Sequence, residues 1–126
     1  MPQSAREWLK QSDNDIRAAD IMFQNRQNMY AIFMAHLSIE KSLKGLYVLR
    51  LDKEAPRIHN LILLVETLGL DMPPDLYEFV VEINRMSIVT RYPDDLNRMN
   101  RQYNRKVIDG MMKKCREVLK WLKKQY

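Results

Sequence analysis

The sequence predicts an all-α fold, an up-and-down helical bundle of about five helices, on three observations. Strong helix formers dominate the chain, which is 46% apolar and holds only three Gly and five Pro in 126 residues. Apolar residues recur at helical spacing in five segments, and no segment alternates convincingly as a strand. Turn and capping residues bound most of those segments. A chain of this length buries about two-thirds of its unfolded surface, so one domain over residues 1–126 is expected.

Helix one is expected to open at Ser4, with Glu7 completing a capping box and Trp8, Ser12, Ile16, Ala19 and Phe23 along one stripe. Helix two starts near Asn28, a suitable N-cap, and runs to about Leu51. Helix three spans about Asn60 to Leu68, stopped by Gly69, with Leu61, Leu64, Val65 and Leu68 inward. Pro73-Pro74-Asp75 starts helix four, whose core face is Leu76, Phe79, Val80, Ile83 and Met86. Tyr77, Val81 and Ile88 form a second apolar stripe, which calls for another internal neighbour or a second subunit. Thr90 to Tyr103 shows no apolar period and reads as a long working loop. Helix five runs from about Asn104 to Lys124, with Val107, Ile108, Met111, Cys115, Val118, Leu119 and Leu122 inward.

The composition excludes several classes. The single cysteine, Cys115, rules out an internal disulfide and fits a reducing cytoplasm. The N-terminal residues contain no apolar signal core, and the longest apolar-rich run, Tyr30 to Ile39, is too short to span a membrane. No His, Asp, Glu or Cys grouping has ligand spacing, so neither a metal nor another cofactor is expected. The net charge of +5 is concentrated at one end: from Asn97 onward ten Lys/Arg face only Asp109 and Glu117, leaving the first 96 residues at −3. That end suits either a solvated helix face or an anionic partner.

Helix two carries the most informative pattern. It is apolar nearly all round, as a central helix must be. At 100° per residue, Ala31, Ala35, Ser38 and Ser42 make a face of small side chains that allows close approach of another helix. His36, Glu40, Lys44 and Tyr47 share a polar stripe with Phe33 and Leu51. Glu40 and Lys44 need partners if that stripe is buried, and His59 and Arg91, each on a loop, are candidates to complete the cluster. Arg91 belongs to Thr90-Arg91-Tyr92-Pro93-Asp94, where Pro93 should end helix four and turn polar side chains outward.

Glu40-Lys41-Ser42-Leu43-Lys44, His59-Asn60-Leu61 and Thr90-Arg91-Tyr92-Pro93-Asp94, in that order and spacing, resemble the HEPN family from Trp8 to about Trp121. The resemblance implies a helical bundle paired as a homodimer, with a polar groove near the subunit junction. It also implies a minimal nucleotidyltransferase as a partner, in a toxin-antitoxin-like pair. Many members are metal-independent ribonucleases that use an Arg followed after four to six residues by a His. Here the required positions hold Met29, Tyr30 and Ala31 before His36, and Asp52, Lys53 and Glu54 before His59, so that motif is absent.

Two functions follow from this reading. The first is a non-catalytic module that binds a nucleotide, or the partner, through Glu40, Lys41, Lys44, His59, Arg91, Tyr92 and Asp94. Lys44 and Arg91 suit phosphate, and Tyr92 suits a stacked base. The alternative is a ribonuclease toxin with a rearranged site, in which His59 or His36 is the base and Arg91 the phosphate clamp. A weaker third reading makes the basic C-terminal stripe a nucleic-acid surface.

Overall fold

The computed structural model describes residues 2–89 and 92–126, with the backbone alone at positions 3, 88 and 89. Among the described residues it is all-helical, with α1 (Gln3–Gln24), α2 (Asn28–Leu51), α3 (Leu61–Thr67), α4 (Pro74–Val89), α5 (Pro93–Gln102) and α6 (Arg105–Lys123).

Helix α2 is the axis of the bundle, packing against all five other helices among the described residues. Ile32, Ile39, Leu43 and Leu46 lie in one core with Leu61 and Leu64 of α3, Val80, Ile83 and Met86 of α4, Met99 of α5, and Ile108, Met112 and Leu122 of α6. The small-residue face does what its chemistry allows. Ser12 Oγ donates to the Ser38 carbonyl at 2.7 Å and Ser38 Oγ to the Ser12 carbonyl at 2.9 Å, which ties the α1 and α2 backbones together through two side chains. At Gly45 an added Cβ would meet Trp8 Cβ at 3.0 Å and the Ala5 carbonyl oxygen at 3.2 Å, so glycine permits this crossing.

Gly69 ends α3 at φ 62°, the left-handed conformation that the sequence suggests for a helix stop. Several boundaries differ from expectation. No Ser4–Glu7 capping box forms: α1 starts one residue earlier, after Pro2, with no side-chain cap. Asn28 is the first residue of α2 rather than its cap. In α6 the buried edge is Ile108, Met112, Cys115, Val118, Leu119 and Leu122, while Val107 is exposed and Met111 half-buried. On α4, Val81 of the second stripe is exposed and Tyr77 half-buried; the side chain of Ile88 lies outside the described residues.

The main correction concerns the expected loop from Thr90 to Tyr103, most of which is helix α5. Only Met99 is buried and Leu96 half-buried, too few apolar positions to show a period. The helix is specified instead by its ends, with Pro93 at N1, Asp94 and Asp95 in the first turn and Arg101 in the last.

Candidate ligand-binding groove

Asp52 caps α2 in the left-handed conformation, φ 50°, and its amide donates to the Val48 carbonyl. This reverses the chain into the segment 53–60. The far end of that segment is fixed by Asn60, whose side chain accepts from the amides of Ile62 at 3.0 Å and Leu63 at 3.2 Å and so caps α3. Asn84 of α4 holds the same corner by accepting from the Leu61 amide at 2.9 Å and donating to Asn60 Oδ1 at 3.3 Å. His59 therefore arrives beside α2 from a pinned position.

There it meets Glu40. His59 Nδ1 lies 3.0 Å from Glu40 Oε1 and 3.2 Å from Oε2. Lys44, one turn further along α2, places Nζ 3.3 Å from Glu40 Oε2 and 5.7 Å from the centre of the Trp8 ring. Glu40 and Lys44 are both buried, whereas 64% of the His59 side chain is exposed. A buried carboxylate is thus bridged between one buried cation and one surface imidazole.

The cluster borders a groove of about 520 Å³ lined by Ser4, Trp8, Lys44, Val48 and residues of the 52–57 segment. Lys44, Val48 and Asp52 follow one another at four-residue spacing, so one edge of α2 forms the floor. Ser4 and Trp8 of α1 also line it, together with Asp52, Lys53, Glu54 and Arg57 of the segment that follows α2. The sequence reading did not single out Trp8, Lys53 and Arg57, which line this groove. Trp8 resembled ordinary core stripe, and Lys53 and Arg57 an ordinary charged loop.

Among the sequence-derived site residues, the structure brings Glu40, Lys44 and His59 together. Lys41 turns toward α1, where it pairs with Asp15 at 2.8 Å. Tyr92 is 64% exposed at the N-cap of α5, and Asp94 is exposed in its first turn. Among the described residues, no hydrogen bond or ion pair connects either of them to Glu40, Lys44 or His59. Thr90 and Arg91, with the proposed Glu40–Arg91 contact, lie outside the described residues.

The basic C-terminal helix is partly neutralised. Arg116 pairs with Asp20, Lys123 with Asp13 at 2.9 Å, Lys114 with Asp75 at 3.1 Å and Lys113 with Asp109 at 3.1 Å. The charge asymmetry along the chain is therefore partly cancelled in space, since acids of α1 and α4 face bases of α6. Cys115 is buried mid-stripe, and burial pushes its thiol up to about 12, which leaves it inert. No helix among the described residues is long and apolar enough to cross a membrane.

Among the described residues, a bundle of six helices whose central helix carries a buried acid–base pair at the edge of a groove defines a small helical domain. The chain belongs to the HEPN domain family, whose model matches residues 5–125. It is similar to the crystal structure of TT1696 from Thermus thermophilus, with 26% identity and a TM-score of 0.84 over 99% of this chain and 100% of that one. No curated protein matches the sequence.

Proposed function

We propose that this HEPN domain is a non-catalytic binding module that holds a nucleotide at the Glu40–Lys44–His59 cluster. The observation that carries the reading is the burial of Glu40 and Lys44 together at the edge of an open groove. A charged pair at 5% and 6% side-chain exposure contributes little to stability compared with apolar residues of similar size, so a function for it is the simpler explanation. Lys44 supplies a phosphate-seeking ammonium, and Glu40 supplies acceptors for ribose or base edges. Arg91, Tyr92 and Asp94 belong to the same proposed site, with Arg91 as a second phosphate contact.

The homodimer and the minimal nucleotidyltransferase partner, in a toxin-antitoxin-like pair in the cytoplasm, belong to the same proposal. The exposed Val81 and half-buried Tyr77 on α4 are its candidate dimer surface. Titration of the purified chain with labelled nucleotides tests the binding role. Saturable binding that weakens in the Arg91→Ala, Lys44→Ala double variant is expected, and binding unaffected by both changes would remove the site.

One observation favours a second reading as a ribonuclease. Glu40 engages Nδ1 of His59, the arrangement that orients an imidazole for proton transfer through its other nitrogen. RNA incubated without metal should then be cut by the native chain and spared by His59→Ala. Equal cleavage by both would exclude His59 from catalysis.

A further inference from the structure

We propose that the face shared by α1 and α6 binds the phosphate backbone of a nucleic-acid duplex, without regard to base sequence. The proposal goes beyond the nucleotide-binding reading above and uses none of its residues.

Two ion pairs set the helices side by side. Asp20 of α1 pairs with Arg116 of α6, and Asp13 with Lys123 at 2.9 Å, so the two helices run antiparallel along a shallow groove of about 270 Å³. Half-buried Ile16 and buried Leu119 line that groove between the charged side chains. Arg6, Lys10 and Arg17 line a second shallow concavity on α1, and Asp13 borders both. At 100° per residue, Lys106, Lys113 and Lys120 share the outward side of α6 with Arg116 and Lys123.

The charge of this face exceeds what its own acids can meet. It carries eight Lys/Arg against Asp13, Asp20 and Asp109, each of which is already paired with one of those cations. Arg6, Lys10, Arg17, Lys106 and Lys120 are left over; all five are exposed, and among the described residues none has an ion-pair partner. A surplus of five equals the net charge of the whole chain, +5, so the rest of the molecule is balanced and the field of the protein originates here.

The shape and the side chains select the kind of polyanion. Lys106 to Lys123 spans seventeen residues of one helix, a straight row of about 25 Å. A duplex is a stiff rod with one negative charge per about 1.7 Å of its axis, which such a row can follow. A single strand is instead held by bases stacked on aromatic side chains. The exposed aromatics Tyr30, Phe33 and Tyr92 stand elsewhere, on α2 and at the start of α5. An anionic bilayer takes a helix through apolar side chains buried below the headgroups. The exposed large apolar residues of these two helices are Ile21, at the edge of the face, and Val107, on another side of α6, so nothing on the face itself can insert.

Fluorescence anisotropy of labelled 20-base-pair DNA and RNA duplexes, titrated with the full chain, tests the proposal. Both duplexes, and two unrelated sequences of each, should bind with affinities within ten-fold of one another. The logarithm of the binding constant should fall with the logarithm of salt concentration at a slope of about −4.5, for five phosphates neutralised. The Lys10→Ala, Lys120→Ala double variant, changed at two exposed positions, should bind about ten-fold more weakly and lower the slope by about two. The Lys53→Ala, Arg57→Ala double variant, beside the other groove, should bind as the native chain does. Equal binding by the Lys10, Lys120 variant would overturn the α1 and α6 face as the site. Tighter binding of the single strand than of the duplex, or no duplex binding at 50 mM salt, would overturn the duplex assignment. Capture by vesicles of phosphatidylserine and phosphatidylcholine with no duplex binding would assign the face to a membrane surface instead. None of these outcomes bears on nucleotide binding at Glu40, Lys44 and His59, which the titration with labelled nucleotides decides separately.

Discussion

Glu40 and Lys44 form an ion pair at 3.3 Å, one turn apart on the central helix, with 5% and 6% of their side chains exposed. On a helix surface such a pair stabilises by about 0.2–0.5 kcal/mol. Buried, it behaves differently, because each charge has left water and depends on the other. His59 relieves the carboxylate from the solvent side, and Trp8 offers its ring to the ammonium.

Removing one partner should therefore cost far more than removing both. Glu40→Gln leaves Lys44 buried without its counter-ion and should lower stability by about 3–5 kcal/mol. The combined Glu40→Leu, Lys44→Met replacement should recover most of that loss, and His59→Ala, at a largely exposed position, should cost less than about 1 kcal/mol. Urea midpoints at neutral pH check all three. A double variant as unstable as Glu40→Gln would show that the pair is there for stability and weaken the functional reading.

Two glycines should respond in opposite directions to alanine. At Gly45 a Cβ would press on Trp8 Cβ, the Ala5 carbonyl and the Tyr126 hydroxyl. The tyrosine tip can give, whereas the α1 backbone cannot, so Gly45→Ala should destabilise by about 1–3 kcal/mol. Gly110 lies within α6 with nothing near its Cβ position, and Gly110→Ala should stabilise by about 0.5–1 kcal/mol. Thermal melts of the two single variants decide this, and a stable Gly45→Ala protein would mean that α1 and α2 are further apart than described.

Alkaline pH should destabilise the fold through two buried groups. Burial holds the Tyr126 hydroxyl at about 12 against an ordinary 10.0, and the Cys115 thiol at about 12 against 9.0. Below pH 9 both are protonated in the folded and unfolded chains, so neither affects stability there. Above that, the unfolded chain releases protons that the folded chain keeps, and stability falls progressively up to about pH 12. Urea midpoints should decline steadily from about pH 9, and a flat profile through pH 11 would show that both groups reach water.

How much of this was legible in the sequence depended on how many residues carried each signal. The role of α2 was plain, since Ile32, Ile39, Leu43 and Leu46 surround it with apolar side chains while Ala31, Ala35, Ser38 and Ser42 leave one face small. The Glu40–His59 contact was anticipated because an isolated acid on such a helix demands a partner. Helix α5 was not, because a helix that buries Met99 and half-buries Leu96 presents no period, and Pro93 with two following acids was the only remaining cue. The groove was equally hidden. It depends on the left-handed turn at Asp52 and on Asn84 reaching from α4 to pin Asn60, and neither residue type signals that use. The basic C-terminal stripe was legible only as charge, since linear counting cannot see that Asp13 and Asp20 pair with Lys123 and Arg116.

Backbone amide shifts of the isotopically labelled chain, recorded as AMP is added, test most directly whether the buried cluster and its groove hold the ligand. Saturable shifts should concentrate at residues 40–44, at His59 and along 52–57, together with the Trp8 indole signal. Shifts confined to the outer faces of α1 and α6, or no shifts at all, would contradict a ligand at Glu40, Lys44 and His59.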